Sequence, residues 1–177
     1  LSMGETLYAY PFEGYWRDVG TIESLWQANM DLLGTPPQLD LYDSDWRIFS
    51  RSSVRPPPFV GKNAIITKSI VTEGCEIYGD ADKCVLSEGV FIEKGASVKN
   101  SVILSDVKIC SGSKIENAIV GNNTIVGRNC MVGGKENITL LSGGIQIADS
   151  VYIDAGENIE CDILSNKIPE AGFKEAE

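Results

Sequence analysis

Ile66-Thr-Lys-Ser-Ile-Val71 is followed by Ala81-Asp-Lys-Cys-Val-Leu86, Val98-Lys-Asn-Ser-Val-Ile103 and Ile115-Glu-Asn-Ala-Ile-Val120. The four phrases begin 15, 17 and 17 residues apart. A finer beat runs from residue 60 to 132 through Val60, Ile66, Val71, Ile77, Leu86, Ile92, Val98, Ile103, Ile109, Ile115, Val120, Val126 and Val132, mostly five or six residues apart. This is too sparse for an amphipathic strand and wrongly spaced for a helix face. It fits a β-solenoid of six-residue repeats, in which three short strands form one triangular coil. Each strand then sends one aliphatic side chain to a central axis, and coils stack roughly 4.8 Å apart.

Two further constraints agree. The fourth residue after each inward aliphatic is expected to face a narrow space, and it is small or β-branched at Ala64, Cys75, Ala81, Val90, Ala96, Val102, Val107, Ser113, Thr124 and Cys130, with Ile119 a bulky exception. Gly61, Gly121, Gly127 and Gly133 follow an inward aliphatic directly, at corners where a side chain would crowd the bend. A β-sandwich would instead need turns every 8–12 residues or so. The fold class expected is mainly β, a single-stranded parallel β-helix preceded by a short α/β segment. Similarity to hexapeptide-repeat proteins implies a left-handed coil, which the period alone does not.

The 177 residues, 43% hydrophobic, suffice for a core, and a solenoid needs less because its interior is one-dimensional. A net charge of −10 disfavours nucleic acid and anionic membrane surfaces as partners. No run of about 18 apolar residues is present, so no membrane span is expected. The start, Leu-Ser-Met-Gly, lacks the pattern of a signal peptide. Five cysteines (75, 84, 110, 130 and 161) form no CxxC pair. Structural thiols in a reducing cytoplasm are expected, with Cys75 and Cys130 at small inward places and Cys84 at the Ser/Ala slot of the phrase.

Four regions are expected: residues 1–34, a connector at 35–59, the solenoid at 60–166 and a frayed polar tail at 167–177. In the first, Leu7 to Phe12 alternates like a strand. Thr21 is a fair helix N-cap with Glu23 in the first turn, and Ile22, Leu25, Trp26, Met30 and Leu33 follow helical spacing until Gly34 and two prolines. That apolar face cannot be buried within 34 residues and must pack on something else. In the connector, Leu39 to Asp45 is acidic and turn-prone, Trp46 to Ser50 reads as a short strand, and Pro56-Pro57-Pro58 is a stiff spacer. After Val132 the beat is lost for about a coil, then resumes at Ile147, Ile153 and Ile159 as a last, looser coil closing the open end.

The chain has no histidine. Acyl transfer with a histidine general base between coils is therefore ruled out for these residues, as are Ser-His-Asp and Cys-His catalysis, although another base is conceivable. Gly133-Gly134 and Gly143-Gly144 lack the spacing and lysine of a phosphate-binding loop. The unusual stretch is Gly14-Tyr-Trp-Arg-Asp-Val-Gly-Thr21, with Asp18 among bulky groups. Asp18 is either one ligand of Mg²⁺, which takes one or two carboxylates together with phosphate and water, or a structural carboxylate bonding backbone amides ahead of the helix.

Tyr8-Ala-Tyr-Pro-Phe12 and the segment from Gly14 through Asn29-Met-Asp-Leu-Leu33 closely resemble bacterial glucose-1-phosphate adenylyltransferases (ADP-glucose pyrophosphorylases). The resemblance continues through Leu39-Asp-Leu-Tyr-Asp43, the triple proline and Glu73-Gly-Cys-Glu-Ile-Tyr-Gly79, to about residue 132. It implies synthesis of ADP-glucose from ATP and glucose 1-phosphate for glycogen, a Mg²⁺ cofactor met by Asp18, and the catalytic rather than the regulatory paralogue. It also implies that the ATP loop, a second metal aspartate and the sugar-phosphate contacts lie on a preceding domain, so that these residues form the C-terminal portion of a longer enzyme and are inactive alone. The solenoid would then build a homotetramer and contribute to sites for sugar-phosphate activators and adenylate inhibitors, with Lys62, Lys68, Arg128 and Lys135 as candidate phosphate contacts. Two alternatives stay open: the solenoid tail of another transferase, such as a mannose-1-phosphate guanylyltransferase, and a scaffold subunit like those of the initiation factor that exchanges guanine nucleotide.

Overall fold

The computed structural model describes residues 6, 8–49 and 54–165. Leu7, Ser50 and the expected tail from 167 lie outside the described residues.

Eighteen short strands among them form three parallel six-stranded faces, each strand pairing with the one three further along the chain. The first face carries Phe59–Val60, Glu76–Ile77, Phe91–Ile92, Lys108–Ile109, Ile125–Val126 and Gln146–Ile147. The second carries Ile66–Thr67, Asp80–Asp82, Ser97–Lys99, Lys114–Glu116, Met131–Gly133 and Tyr152–Ile153. The third carries Ile70–Val71, Val85–Leu86, Val102–Ile103, Ala118–Val120, Thr139–Leu141 and Asn158–Ile159. This is the expected solenoid. Ile77, Leu86, Ile92, Val98, Ile103, Ile109, Val120 and Val126 are wholly excluded from water, whereas Val60, at the start of the column, is 48% exposed. Each fully buried aliphatic contributes about 1.5–3 kcal/mol. Backbone amides bond from coil to coil, as from Phe91 N to Val107 O (2.9 Å) and from Lys108 N to Thr124 O (3.0 Å).

Corners turn through left-handed backbone, often at asparagine: Asn100, Asn117, Asn123 and Asn129 all have φ between 50° and 59°. Gly121 and Gly127 are required for a different reason. A side chain at either would meet backbone of the next coil, at Gly143 and at Ala148–Asp149.

Several expectations need correction. Ala81 pairs with Ile66 and Val98, so it fills a principal aliphatic place; the coil it belongs to is two residues short. Val102 and Ile119 face outward. The inward small places at that corner are Cys84 and Ala118, which belong to the core cluster while Val102 and Ile119 do not. The bulk of Ile119 is therefore no exception. The break after Val132 is not a lost coil but one protruding corner: Val120 pairs with Leu141 rather than with residue 137, and the column continues at once. Gly133 opens that corner at φ 78°, where a side chain would collide with the Glu116 carbonyl. At the far end Ile163 bridges to Ile147, beginning another pass along the first face.

The described residues 8–12 and 46–49 form no strand and are exposed. Alternation alone does not make a strand without a neighbour to complete its ladder. The helix is as expected, Ile22–Met30, continued by a 3₁₀ turn at Asp31–Leu33. Thr21 caps it reciprocally: its Oγ1 accepts from Ser24 N (3.1 Å), and its own N–H donates to Ser24 Oγ (3.0 Å). Before the first coil, the Pro56 carbonyl accepts from Gly74 N (2.7 Å). The Arg55 guanidinium grips both oxygens of Asp106 at 2.6 and 2.9 Å. A side chain at Gly74 or Gly89 would strike Arg55, so the connector is strapped across successive corners.

Replacing Ile109 by Ala should cost about 3 kcal/mol in denaturant unfolding, because the column cannot collapse around the void. Burial pushes the Cys84 thiol up to about 11, whereas Cys161 is exposed. A thiol reagent at mild alkaline pH should therefore label Cys161 in the native chain roughly a hundredfold faster than Cys84. The stability that Cys84 contributes is present below its unfolded value of 9.0 and should fall as pH rises towards 11, read as a dropping unfolding midpoint that Cys84→Ala flattens.

Candidate functional site

Asp18 sits on the irregular segment between residue 14 and the helix cap. It is exposed, and its Oδ1 accepts the Gly20 amide at 3.0 Å. The structural role considered from sequence is thus visible. Among the described residues no group of three or more cysteine, aspartate or glutamate side chains converges to hold a metal. One exposed hard oxygen donor suits a Mg²⁺ ion that keeps water and phosphate oxygens in its shell. Asp18 therefore fits as a single ligand, and the described residues make no closed site around it.

What holds this segment is Asp31, a residue the sequence reading passed over. Its side chain is 1% exposed, and Arg17 meets its Oδ2 at 2.7 Å. Tyr15 Oη donates to the same oxygen at 3.0 Å. Gln27 and Gln38 donate to Oδ1 at 2.9 and 3.2 Å. Burial alone would push the carboxyl up, but the bonds from Gln27 and Tyr15 and the charge of Arg17 hold it below the ordinary aspartate value. A signal was present: Asp31 follows a helix whose last turn carries no basic residue, where the dipole disfavours an anion.

The helix lies against Ala118–Val120 on the third face. Val102 and Ile119, whose outward side chains are 1% and 2% exposed, belong to the outer row of this face with Ile70 and Val85. The fifth place of the repeated phrase is always aliphatic, and this row is why. Trp26 Nε1 donates to the Asn100 carbonyl at 2.9 Å, and Asn100 Nδ2 donates to Asn117 Oδ1 at 3.0 Å, so the helix is keyed to the corner as well as to the face. The expectation that the helix packs on something outside its own segment is met by the solenoid.

The four candidate effector cations are all exposed and are not brought together. Lys62 and Arg128 lie at the same corner of the first and fifth coils, Lys68 and Lys135 at the next corner of the same two coils, so each pair is about 19 Å apart along the axis. Arg128 lines a cleft of about 460 Å³ with Cys110, Gln146, Asp149 and Leu164. The Arg128 backbone amide donates to Asp149 Oδ1 at 2.7 Å. No helix among the described residues is long and apolar enough to cross a membrane.

Residues 58–140 match the family model described as GlmU-like, C-terminal hexapeptide, and residues 1–35 match the model described as Nucleotidyl transferase. The chain is 47% identical to a glucose-1-phosphate adenylyltransferase of Desulforamulus reducens, over 86% of this chain and 40% of that protein. It is 54% identical to the enzyme of the same name from Clostridium perfringens strain 13, over 62% of this chain and 28% of that protein. The chain thus spans well under half the length of these curated relatives. Among solved structures it resembles the acetyltransferase domain of PglB from Neisseria gonorrhoeae, with TM-score 0.50 and 18% identity over 62% of this chain and 52% of that one, a likeness of fold alone. The chain is thus similar to curated glucose-1-phosphate adenylyltransferases over part of their length, and joins a stretch that matches a nucleotidyl transferase model to a solenoid that matches a hexapeptide model.

Proposed function

We propose that these residues serve an enzyme that makes ADP-glucose from ATP and glucose 1-phosphate for glycogen synthesis, by closing one edge of its nucleotidyltransferase domain and carrying its solenoid. One observation carries this reading. The segment bearing Asp18 and the solenoid belong to one folded unit, joined by a helix that lies against Ala118–Val120 on the third face, where the outward Ile119 is buried. In the reaction a phosphate oxygen of glucose 1-phosphate bonds to the α-phosphorus of ATP, in line with the bond to the leaving pyrophosphate, which breaks. Mg²⁺, when bound, neutralises charge on the phosphate oxygens. Asp18 would be its ligand from this chain. The Arg17 guanidinium is engaged by Asp31 and serves to hold the segment.

The solenoid is the regulatory and oligomer-building part in this proposal. Homotetramer contacts form along it, and phosphate-bearing activators and adenylate inhibitors bind near it. Of the four candidate cations, Arg128 has the better support because it lines a cleft. Free cysteines and an acidic chain fit a cytoplasmic enzyme without nucleic-acid partners.

The purified 177 residues should form no ADP-glucose from ATP, glucose 1-phosphate and Mg²⁺. A chimera in which they replace the matching portion of the Desulforamulus reducens relative should do so, and Asp18→Asn in that chimera should lower the rate about a hundredfold or more. Activity of the isolated chain, or full Mg²⁺-dependent activity of the Asp18→Asn chimera, would overturn the reading.

A further inference from the structure

We infer that Asp31 is the positioning residue for Asp18: its buried carboxylate, gripping the side chains at 15 and 17, sets the direction in which the segment presents residue 18. The functional meaning of this rests on the reading of Asp18 given above, but the anchoring itself does not.

Asp31 stands at the end of the helix where the dipole repels an anion, so helix formation alone does not account for a carboxylate there. Its compensation is tertiary. Both oxygens are used twice, Oδ2 by Tyr15 at 3.0 Å and Arg17 at 2.7 Å, Oδ1 by Gln27 at 2.9 Å and Gln38 at 3.2 Å. One side chain thereby ties the Asp18 segment to the helix and to the start of the connector. Tyr15 and Arg17 both turn to Asp31, whereas Trp16, 75% exposed, and Asp18 take no part in that grip and face solvent. The other end of the segment is fixed by the Thr21 and Ser24 capping box. Asp18 lies between the two anchors, exposed, with its Oδ1 taken by the Gly20 amide. The four partners of Asp31, at 15, 17, 27 and 38, lie on the Asp18 segment, the helix and the start of the connector, outside the solenoid strands.

The test is backbone hydrogen exchange on the full 177-residue chain, comparing wild type with Asp31→Asn, Arg17→Met and Arg17→Lys. Loss of the charged grip should speed exchange about tenfold at the Gly20 amide, which donates to Asp18 Oδ1, in Asp31→Asn and Arg17→Met. Amides of the inner column such as Ile103 and Ile109 should be unchanged, and Arg17→Lys should restore most of the protection. Unchanged exchange at Gly20 in both disruptive variants would overturn the inference, as would a loss of protection spread evenly into the solenoid. Should Asp31→Asn fail to fold, the two Arg17 variants decide, since they leave Asp31 with its tyrosine and glutamine donors. The Asp18→Asn chimera reports on the metal role separately: retained activity there removes the functional meaning and leaves the anchoring result standing.

Discussion

Each coil of this protein can bury its aliphatic side chains only against the coils above and below, and every strand finds its ladder partner only there. That dependence of each layer on its neighbours shapes the rest of the structure. The column is one side chain wide, so a coil two residues short is accommodated by putting Ala81 in an aliphatic place. Extra residues are accommodated at a corner, where the chain leaves the stack and returns between Gly133 and Thr139 without disturbing Val132 or Leu141 beneath it. Corners are also where the backbone is least ordinary, and short polar side chains or glycine occupy most of the left-handed positions.

A stack has an outside as well as an axis. Two faces present mixed polar and aromatic side chains, and on the first Phe59, Tyr78 and Phe91 sit with ring centroids 5.6 and 5.7 Å apart. The third face presents aliphatics, and there the only α-helix among the described residues is docked. The helix is too short to be stable alone in water. Its capping box, its indole bond to the Asn100 carbonyl and the Asp31 cluster together specify its place. The connector comes back to the solenoid at another corner, where Arg55 crosses Gly74 and Gly89 to reach Asp106. Two separate sets of contacts thus hold the non-repetitive part of the chain to the repetitive part.

These attachments bear on function because the proposed metal ligand is not on the solenoid. Asp18 belongs to the attached segment, in which Tyr15 and Arg17 are tied to Asp31. The candidate effector cations belong to the solenoid corners, spread over two distant coils.

The column of aliphatics, the triangular coil, the capped helix and the need of that helix for an external partner were all legible in the order of residues, because each rests on a local period or a local cap. The resemblance carried by Gly14 to Thr21 was legible for the same reason: its residues are contiguous. What the sequence by itself could not settle was which side of the wall a given residue takes when the spacing of inward aliphatics departs from six, as at Ala81, Val102 and Ile119, since inward and outward places differ by a single residue of register. Nor could it show that alternation at residues 8–12 and 46–49 lacks a partner strand. Only tertiary structure decided that the helix lies against the third face, that four candidate cations lie apart, and that Asp31 collects donors from positions 15, 17, 27 and 38. Those are contacts between segments with no common period, and their geometry exists only once the solenoid has given them a surface on which to meet.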